Sequence, residues 1–402
     1  MLNTGFSPWP AFTKEEAIAV QDVLLSNRVN YWTGNQCRDF EREFASWAGV
    51  KHAIAVSNGT VAIEMALKAF DIGEGDEVIV TPRTFVASAS AIVTTGATPV
   101  FADLDPENGN ISAATIAQVV SPKTRAIICV HMGGWPCDMH DIMELASFRD
   151  IKVIEDCAQA HGARYNGKSV GSIGHVGTWS FCQDKIMTLG GEGGMLTTDD
   201  TALWNQLWSA KDHGKSWDAV NAKSGNAHFK WLHESFGSNY RMTEMQAAIG
   251  RIQLKRLPQW SERRTKNAEN FISALKDYSG ENGVVTIPGT GGENTKSMES
   301  AWYKFYIFLN LQNLGKGWTR NLVIEEFQKL AVPCFQGTCA EIYKEKCFET
   351  IIWLPGKQLP IAADIGERSI MFLVHPTLTD REIEKTQIAM KQVFAKVQDD
   401  LT

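Results

Sequence analysis

The sequence predicts an α/β fold built on a mostly parallel sheet, followed by a smaller α+β region. Three observations carry this. Short apolar runs alternate with helix-compatible stretches over about 150 residues, the pattern of strands joined by covering helices. The chain has 402 residues, 44% hydrophobic and 21% charged, which is enough for a buried core and two or three domains. Past about residue 255 the texture changes to charged helix, loop, strand and helix.

The elements follow in order. Thr13 with Glu16 forms a capping-box pattern ahead of Ile18, Val20, Val23 and Leu24. Strand candidates are residues 52–56, 77–80, 99–102, 126–131, 152–155 and 178–181. Helix candidates between them are 61–70, 87–94, 112–119 and 139–148. A charged stretch from Lys255 to Lys266 reads as a solvated helix face. Residues 288–294, PGTGGEN, read as a mobile surface loop. A strand over 302–309 and a helix over 321–330 come next. Thr379 with Glu382 then caps a final helix carrying Ile383, Met390, Phe394 and Val397. The predicted division is a large domain, 1–255, and a small one, 256–402, with the N-terminal helix packing on the latter.

Composition excludes several function classes. Lys plus Arg number 39 and Asp plus Glu 46, a net charge of −7, which gives no broad attraction to nucleic acid or anionic membrane. Apolar runs are a handful of residues, far short of the roughly 20 a membrane span requires. The opening MLNTGFSPWPAFTKEE has neither a basic start nor an apolar stretch, so no secretory signal is expected in it. Eight scattered cysteines form no CxxC pair, which argues against a zinc site and for reduced thiols in a cytoplasmic protein.

Ligands of such sheets bind beyond the carboxyl ends of the strands, so polar residues there matter most. Four patterns qualify. Ser57-Asn58-Gly59-Thr60 suits a phosphate at a helix N-terminus, or simply caps the helix. Asp156 ends a strand, with Gln159 three residues on; the carboxylate can pair with a protonated ring nitrogen or cap the next turn. Lys185 lies between a strand and the run Gly190, Gly191, Gly193, Gly194, where a crowded lysine becomes an amine nucleophile and an uncrowded one is a surface charge. Asn239 and Arg241 precede a helix capped by Thr243 with Gln246; they face an anion or only open the helix.

Seven motifs stand in one order: SNGT, GDEVIVTPRTFVASASAI, GATPVFADLDP, KTRAIICVH, VIEDCAQAHGA, SFCQDK with GGEGGMLTT, and NYRMTEMQAA. Together they resemble the DegT/DnrJ/EryC1/StrS family of pyridoxal-phosphate-dependent sugar aminotransferases. The resemblance runs from about Asn27 to Arg256 and is weaker at Ala301–Phe305 and at FLVHPTLT, 372–379. It implies the aspartate aminotransferase-like fold (pyridoxal-phosphate fold type I), with a mostly parallel seven-stranded sheet. It also implies a homodimer with active sites at the subunit interface.

By the same resemblance Lys185 falls on the lysine that forms the Schiff base with pyridoxal 5'-phosphate, the cofactor cycling through pyridoxamine 5'-phosphate. Asp156 falls on the partner of the ring nitrogen and Gln159 on the residue beside the ring hydroxyl. Gly59, Thr60 and Ser180 match the phosphate ligands, Phe85 the aromatic stacked on the ring, and Asn239 the residue reaching the partner subunit's phosphate. Lysine at 185, where some members carry histidine and dehydrate, implies transamination. The implied reaction moves an amino group from glutamate or glutamine to a keto group of a nucleotide-linked deoxy sugar.

An aminocyclitol (keto-inositol) aminotransferase and a non-catalytic cofactor-binding regulator are the alternatives. The intact Lys185, Asp156 and Gln159 argue against the regulator. Many members read Ala-Trp-His where this chain reads Ala301-Trp302-Tyr303, so substrate contacts there differ. Cys157 and Cys182 read as packing residues, and His131 and His161 as packing or supporting groups near the cofactor. Trp32-Thr33-Gly34 is read as a sugar-nucleotide contact.

Overall fold

A computed structural model describes residues 4–222, 231–280, 282–289 and 297–399. Helices α1 (Lys14–Leu25) and α2 (Gln36–Ala48) precede the sheet. Then β1 (His52–Val56), α3 (Gly59–Ala69), β2 (Glu77–Val80), α4 (Ala87–Thr94), β3 (Thr98–Phe101), α5 (Ala113–Ala117), β4 (Thr124–Val130), α6 (Met139–Phe148) and β5 (Lys152–Asp156) alternate. A hairpin of β6 (Arg164–Tyr165) and β7 (Lys168–Ser169) leads to β8 (Val176–Ser180) and β9 (Gly194–Thr198). Helices α7 (Thr201–Lys211), α8 (Trp217–Asn221) and α9 (Glu244–Leu275) follow. The remainder is β10 (Val285–Thr286), β11 (Met298–Glu299), β12 (Phe305–Leu309), α10 (Arg320–Lys329), β13 (Cys334–Phe335), α11 (Pro360–Arg368), β14 (Ser369–Phe372) and α12 (Asp380–Asp399).

The large sheet has seven strands in the order β1-β9-β8-β5-β4-β2-β3. Strand β9 pairs antiparallel with β1 and β8; the other pairings are parallel. The carboxyl ends of β1, β2, β4, β5 and β8 therefore share one edge. The fold is the expected α/β arrangement with a mostly parallel seven-stranded sheet. Strand β9 is absent from the six strands read locally. Its five residues are all buried, but glycines before it and threonines at its end make it look like part of the turn.

Three helix starts form as their capping pairs predict. The Thr13 N–H donates to Glu16 Oε2 at 2.9 Å, the Thr379 N–H to Glu382 Oε2 at 2.7 Å, and the Thr243 N–H to Gln246 Oε1 at 2.9 Å. Each satisfies an amide that the helix leaves without a partner.

Two apolar cores form. One surrounds the large sheet; the other lies between a four-stranded antiparallel sheet, β10-β12-β14-β13, and helices α10 and α12. Helix α9 joins them: Leu254 and Leu257 sit in the first core, Ala268, Phe271 and Leu275 in the second. The change of texture at residue 255 thus falls inside a continuous helix. Helix α1 is tied to α9 by Arg256, which pairs with Glu15 and Glu16. Ile342, Tyr343, Phe348 and Leu359, though late in the chain, pack into the first core, with Tyr343 and Phe348 against Phe101.

The loop expected at 288–294 is described only at its start. There Pro288 and Gly289 are buried, which corrects the surface reading for these two; residues 290–294 lie outside the described residues. A β-carbon at Gly289 would meet the Trp135 ring at 2.2 Å, so the chain passes directly over that indole. Among the described residues, no helix is long and apolar enough to cross a membrane.

Candidate active site

A cavity of about 980 Å³ opens beyond the carboxyl edge of the large sheet. Gly59, Thr60, Phe85, Asp156, Gln159, Ser180 and Lys185 all line it, although 126 positions separate the first from the last in sequence. The parallel strands bring them together by ending at one edge.

At one end of the cavity, Asn58 caps α3 by accepting the Val61 N–H at 2.9 Å. The capping reading of this turn is observed, with Asn58 as the cap. The cap uses one amide, and the N–H groups of Gly59 and Thr60 in the first turn have no acceptor within the helix. They point with the positive end of the helix dipole, a set of donors that suits an anion. Ser180 adds a hydroxyl. A β-carbon on Gly59 would lie 2.6 Å from Ser180 Cβ, so only glycine lets the two segments come this close. Gly59→Ala is expected to push this turn outward and weaken phosphate-dependent ligand binding about tenfold or more, read by titration with the phosphorylated ligand. An unchanged affinity would show that the turn is only a cap.

Asp156 ends β5 and is 5% exposed. Its Oδ1 accepts the Ala158 N–H at 3.1 Å and its Oδ2 the Ser88 hydroxyl at 2.8 Å, with Thr84 Oγ1 2.9 Å from Ser88 Oγ. The carboxylate is thus both a turn cap and a fixed, directed acceptor in the cavity wall. Gln159 Oε1 accepts the Gly133 N–H at 2.9 Å, so its amide NH₂ is the donor offered to the cavity. Phe85 is 68% exposed, unusual for a phenyl ring, and offers the cavity a flat apolar face.

Lys185 sits between β8 and the glycine turn, where Gly190 and Gly191 adopt left-handed φ of 82° and 126°. Its Nζ lies 5.2 Å from the centre of the Tyr303 ring. The Trp9 indole N–H donates to its carbonyl at 2.9 Å, so the N-terminal segment helps hold the loop. From the other side, Gln253 Oε1 accepts the Thr188 N–H at 2.9 Å and Gln246 Nε2 donates to the Glu192 carbonyl at 2.8 Å. Helix α9 therefore supports the lysine loop. Asp184 accepts the Tyr303 hydroxyl at 2.5 Å. Burial raises the Asp184 carboxyl; Lys185, the Tyr303 hydrogen bond and Lys304 outweigh that and hold it below its ordinary value.

The two histidines are supporting groups. His131 Nδ1 accepts the Cys137 N–H at 3.0 Å, which leaves Nε2 to donate to Glu155 Oε2 at 3.1 Å. His161 packs between Trp179 and Phe181, and burial pushes it down to about 3, so it is neutral. Cys157 is buried, and burial raises its thiol well above the ordinary value. Cys182 lines the cavity half-exposed, and burial and Glu192 raise it too.

Asn239 is not with the others. It is exposed and outside the cavity, on a segment held to α7 by Ser238 N–H to the Ala210 carbonyl and Tyr240 N–H to the Lys211 carbonyl. Arg241 pairs within its own chain with the buried Asp212 at 2.7 Å, which also accepts from Lys215. Trp32 lies beside that network, with Lys215 Nζ 4.4 Å from its ring. Ser88, Asp184 and Trp9 escape sequence reasoning as site residues. Only Ser88, within TFVASASAI and one turn after Thr84, carries a local sign.

Residues 10–391 match the model of the DegT/DnrJ/EryC1/StrS aminotransferase family. The chain is 43% identical over 376 residues to GDP-perosamine synthase of Escherichia coli O157:H7, covering 93% of this chain and 94% of that one. It is 32% identical to dTDP-3-amino-3,6-dideoxy-alpha-D-galactopyranose transaminase of Aneurinibacillus thermoaerophilus, covering 95% and 96%. A solved aminotransferase from Psychrobacter cryohalolentis superposes with a TM-score of 0.95 at 55% identity, covering 98% and 99%. With the motifs, the sheet order and the match along almost its full length in agreement, the chain belongs to the DegT/DnrJ/EryC1/StrS aminotransferase family.

Proposed function

We propose that this chain uses pyridoxal 5'-phosphate to move an amino group from glutamate or glutamine to the keto group of a nucleotide-linked deoxy sugar. The observation that carries the reading is one cavity holding a lysine, a fixed carboxylate, an amide donor and a helix N-terminus. Their chemistry fits the cofactor. Gly59, Thr60 and Ser180 offer neutral donors to a phosphate, and the cradle closes on the point where a Gly59 β-carbon would strike Ser180. The exposed ring of Phe85 suits stacking on a flat heterocycle.

When bound, pyridoxal phosphate supplies an electron-accepting ring that stabilises negative charge on the carbon bearing the amine. The residues do the rest. Asp156, oriented by Ser88 and Ala158, keeps a proton at the ring nitrogen. Gln159 donates its NH₂ to the ring oxygen and is itself fixed by Gly133. Lys185 would hold the cofactor in the resting protein and, as a free amine, would carry the proton between the substrate carbon and C4′ of the cofactor. Asp184, held by Tyr303, places a carboxylate beside that amine.

Asn239 lies outside its own chain's cavity, which supports a homodimer in which it reaches the partner's phosphate. We place the enzyme in the cytoplasm. Relatives that act on GDP- and dTDP-linked sugars support the substrate class. An amino-transfer assay with glutamate and glutamine against nucleotide-linked keto sugars and keto-inositols tests the reading. Amination of a nucleotide-linked sugar is expected. Amination of keto-inositols alone would overturn the substrate class.

A further inference from the structure

A second cavity of about 550 Å³ adjoins the first and shares Cys182, Asp184, Tyr303 and Thr338 with it. Residues 4–9, the loop before Lys185 and the strands β12 and β14 enclose it. Lys304 lies in its wall. One residue before β12 and two before Tyr306, it points to the same side of the strand as that tyrosine, also in the wall.

Lys304 is 9% exposed, and its ammonium makes no hydrogen bond or ion pair among the described residues. A buried ammonium without a hydrogen-bond partner is costly. The Asp184 carboxylate faces this group as its counter-charge and also accepts the Tyr303 hydroxyl at 2.5 Å. Arg264 lies behind, donating to the carbonyls of Trp302 and Tyr303, and adds positive charge. Lys185, Lys304 and Arg264 thus surround one carboxylate, and the region carries an excess of positive charge.

The two ammonium groups stand near one ring. Lys304 Nζ is 4.7 Å and Lys185 Nζ 5.2 Å from the centre of Tyr303, so their separation is at most the sum of these distances. A molecule reacting at Lys185 that carries an oxyanion several bonds away is long enough for a gap of that size. We propose that the second cavity is an oxyanion subsite in which Lys304 binds a carboxylate or phosphate of a co-substrate whose reacting carbon stands at Lys185. Burial pushes the Lys304 ammonium down to about 8, with Asp184 opposing and Arg264 and Lys185 adding to the shift, as expected where an anionic partner completes the site.

The proposal rests on the aminotransferase reading, and its two sources are an amino-acid donor carboxylate and the diphosphate of a nucleotide sugar. The test is calorimetric titration of cofactor-loaded protein with glutarate and, separately, with inorganic pyrophosphate. Wild type, Lys304→Met and Lys304→Arg are compared, each checked for native Tm. Wild type is expected to bind at least one probe. Lys304→Met should weaken it about tenfold to a hundredfold, and Lys304→Arg should restore most of the affinity. Loss of glutarate binding alone assigns the donor, and loss of pyrophosphate binding alone assigns the sugar nucleotide. Equal affinity in wild type and Lys304→Met, or no binding of either probe to wild type, would overturn the subsite. Neither result depends on turnover, so a failure of the subsite is separable from a failure of the proposed activity.

Discussion

Replacing Lys185 with alanine is expected to lower kcat/KM for amino transfer by about 10³-fold or more and leave the protein folded. The amine is asked both to hold the cofactor and to move a proton, and positioned proton transfer alone is worth about 10²–10⁴-fold. Nothing in the fold depends on it. The side chain makes no hydrogen bond or ion pair among the described residues, and its loop is held through backbone groups by Trp9, Gln246 and Gln253. Tm should therefore stay close to wild type, as for substitutions away from structural contacts, within about 0.5 kcal/mol. Steady-state kinetics and thermal melting read the two halves of this expectation. Activity within tenfold of wild type would remove Lys185 from the mechanism.

Glu155→Ala should have the opposite character, a large loss of stability. Glu155 is fully buried next to Asp156, and its two oxygens accept four hydrogen bonds. His131 Nε2 and the Gly171 N–H bind Oε2 at 3.1 and 2.8 Å; the Ile173 and Gly174 N–H groups bind Oε1 at 2.8 and 2.7 Å. This one carboxylate closes the 171–174 turn onto the centre of the sheet. Alanine leaves those donors buried and unpaired, at a cost of about 3–5 kcal/mol. The corresponding fall in Tm is roughly 4–6 °C.

Acid should expose the same dependence. Burial by itself raises the Glu155 carboxyl, but His131 and the N–H groups of Gly174 and Gly171 together hold it below the ordinary value. A depressed folded-state value stabilises the protein fully above the unfolded value of about 4.3 and loses that contribution as pH falls through the folded one. The Glu155→Ala variant should therefore lack part of the wild-type decline in Tm below about pH 4.5. Equal Tm values for the two proteins at neutral pH would contradict the role given to Glu155.

These cases mark what a sequence carries. Asp156 was legible because it ends an apolar run, and strand ends in a parallel sheet collect at one edge; Ser180 was named only through the family resemblance. The helix starts at Thr13, Thr243 and Thr379 were legible because a capping box is a contact between residues three apart. Glu155 stands beside Asp156 in VIEDCAQAHGA, but its partners lie 16 to 24 positions away. Lys304 gives no local sign: lysines are mostly exposed, and its burial depends on the N-terminal segment and β14 folding over it. The pairing of Asp184 with Tyr303 joins residues from distant parts of the chain. Asn239 shows a different limit: it is exposed and outside the cavity, so a single chain gives it no partner in the site.

The account turns on Lys185 being the residue that carries the cofactor. Protein loaded with pyridoxal phosphate, reduced with borohydride and digested, should yield one modified peptide, with the added mass on Lys185. The Lys185→Ala variant should yield none. Attachment at Lys304 or Lys211, the buried lysines of the described residues, or labelling that persists in Lys185→Ala, would contradict it.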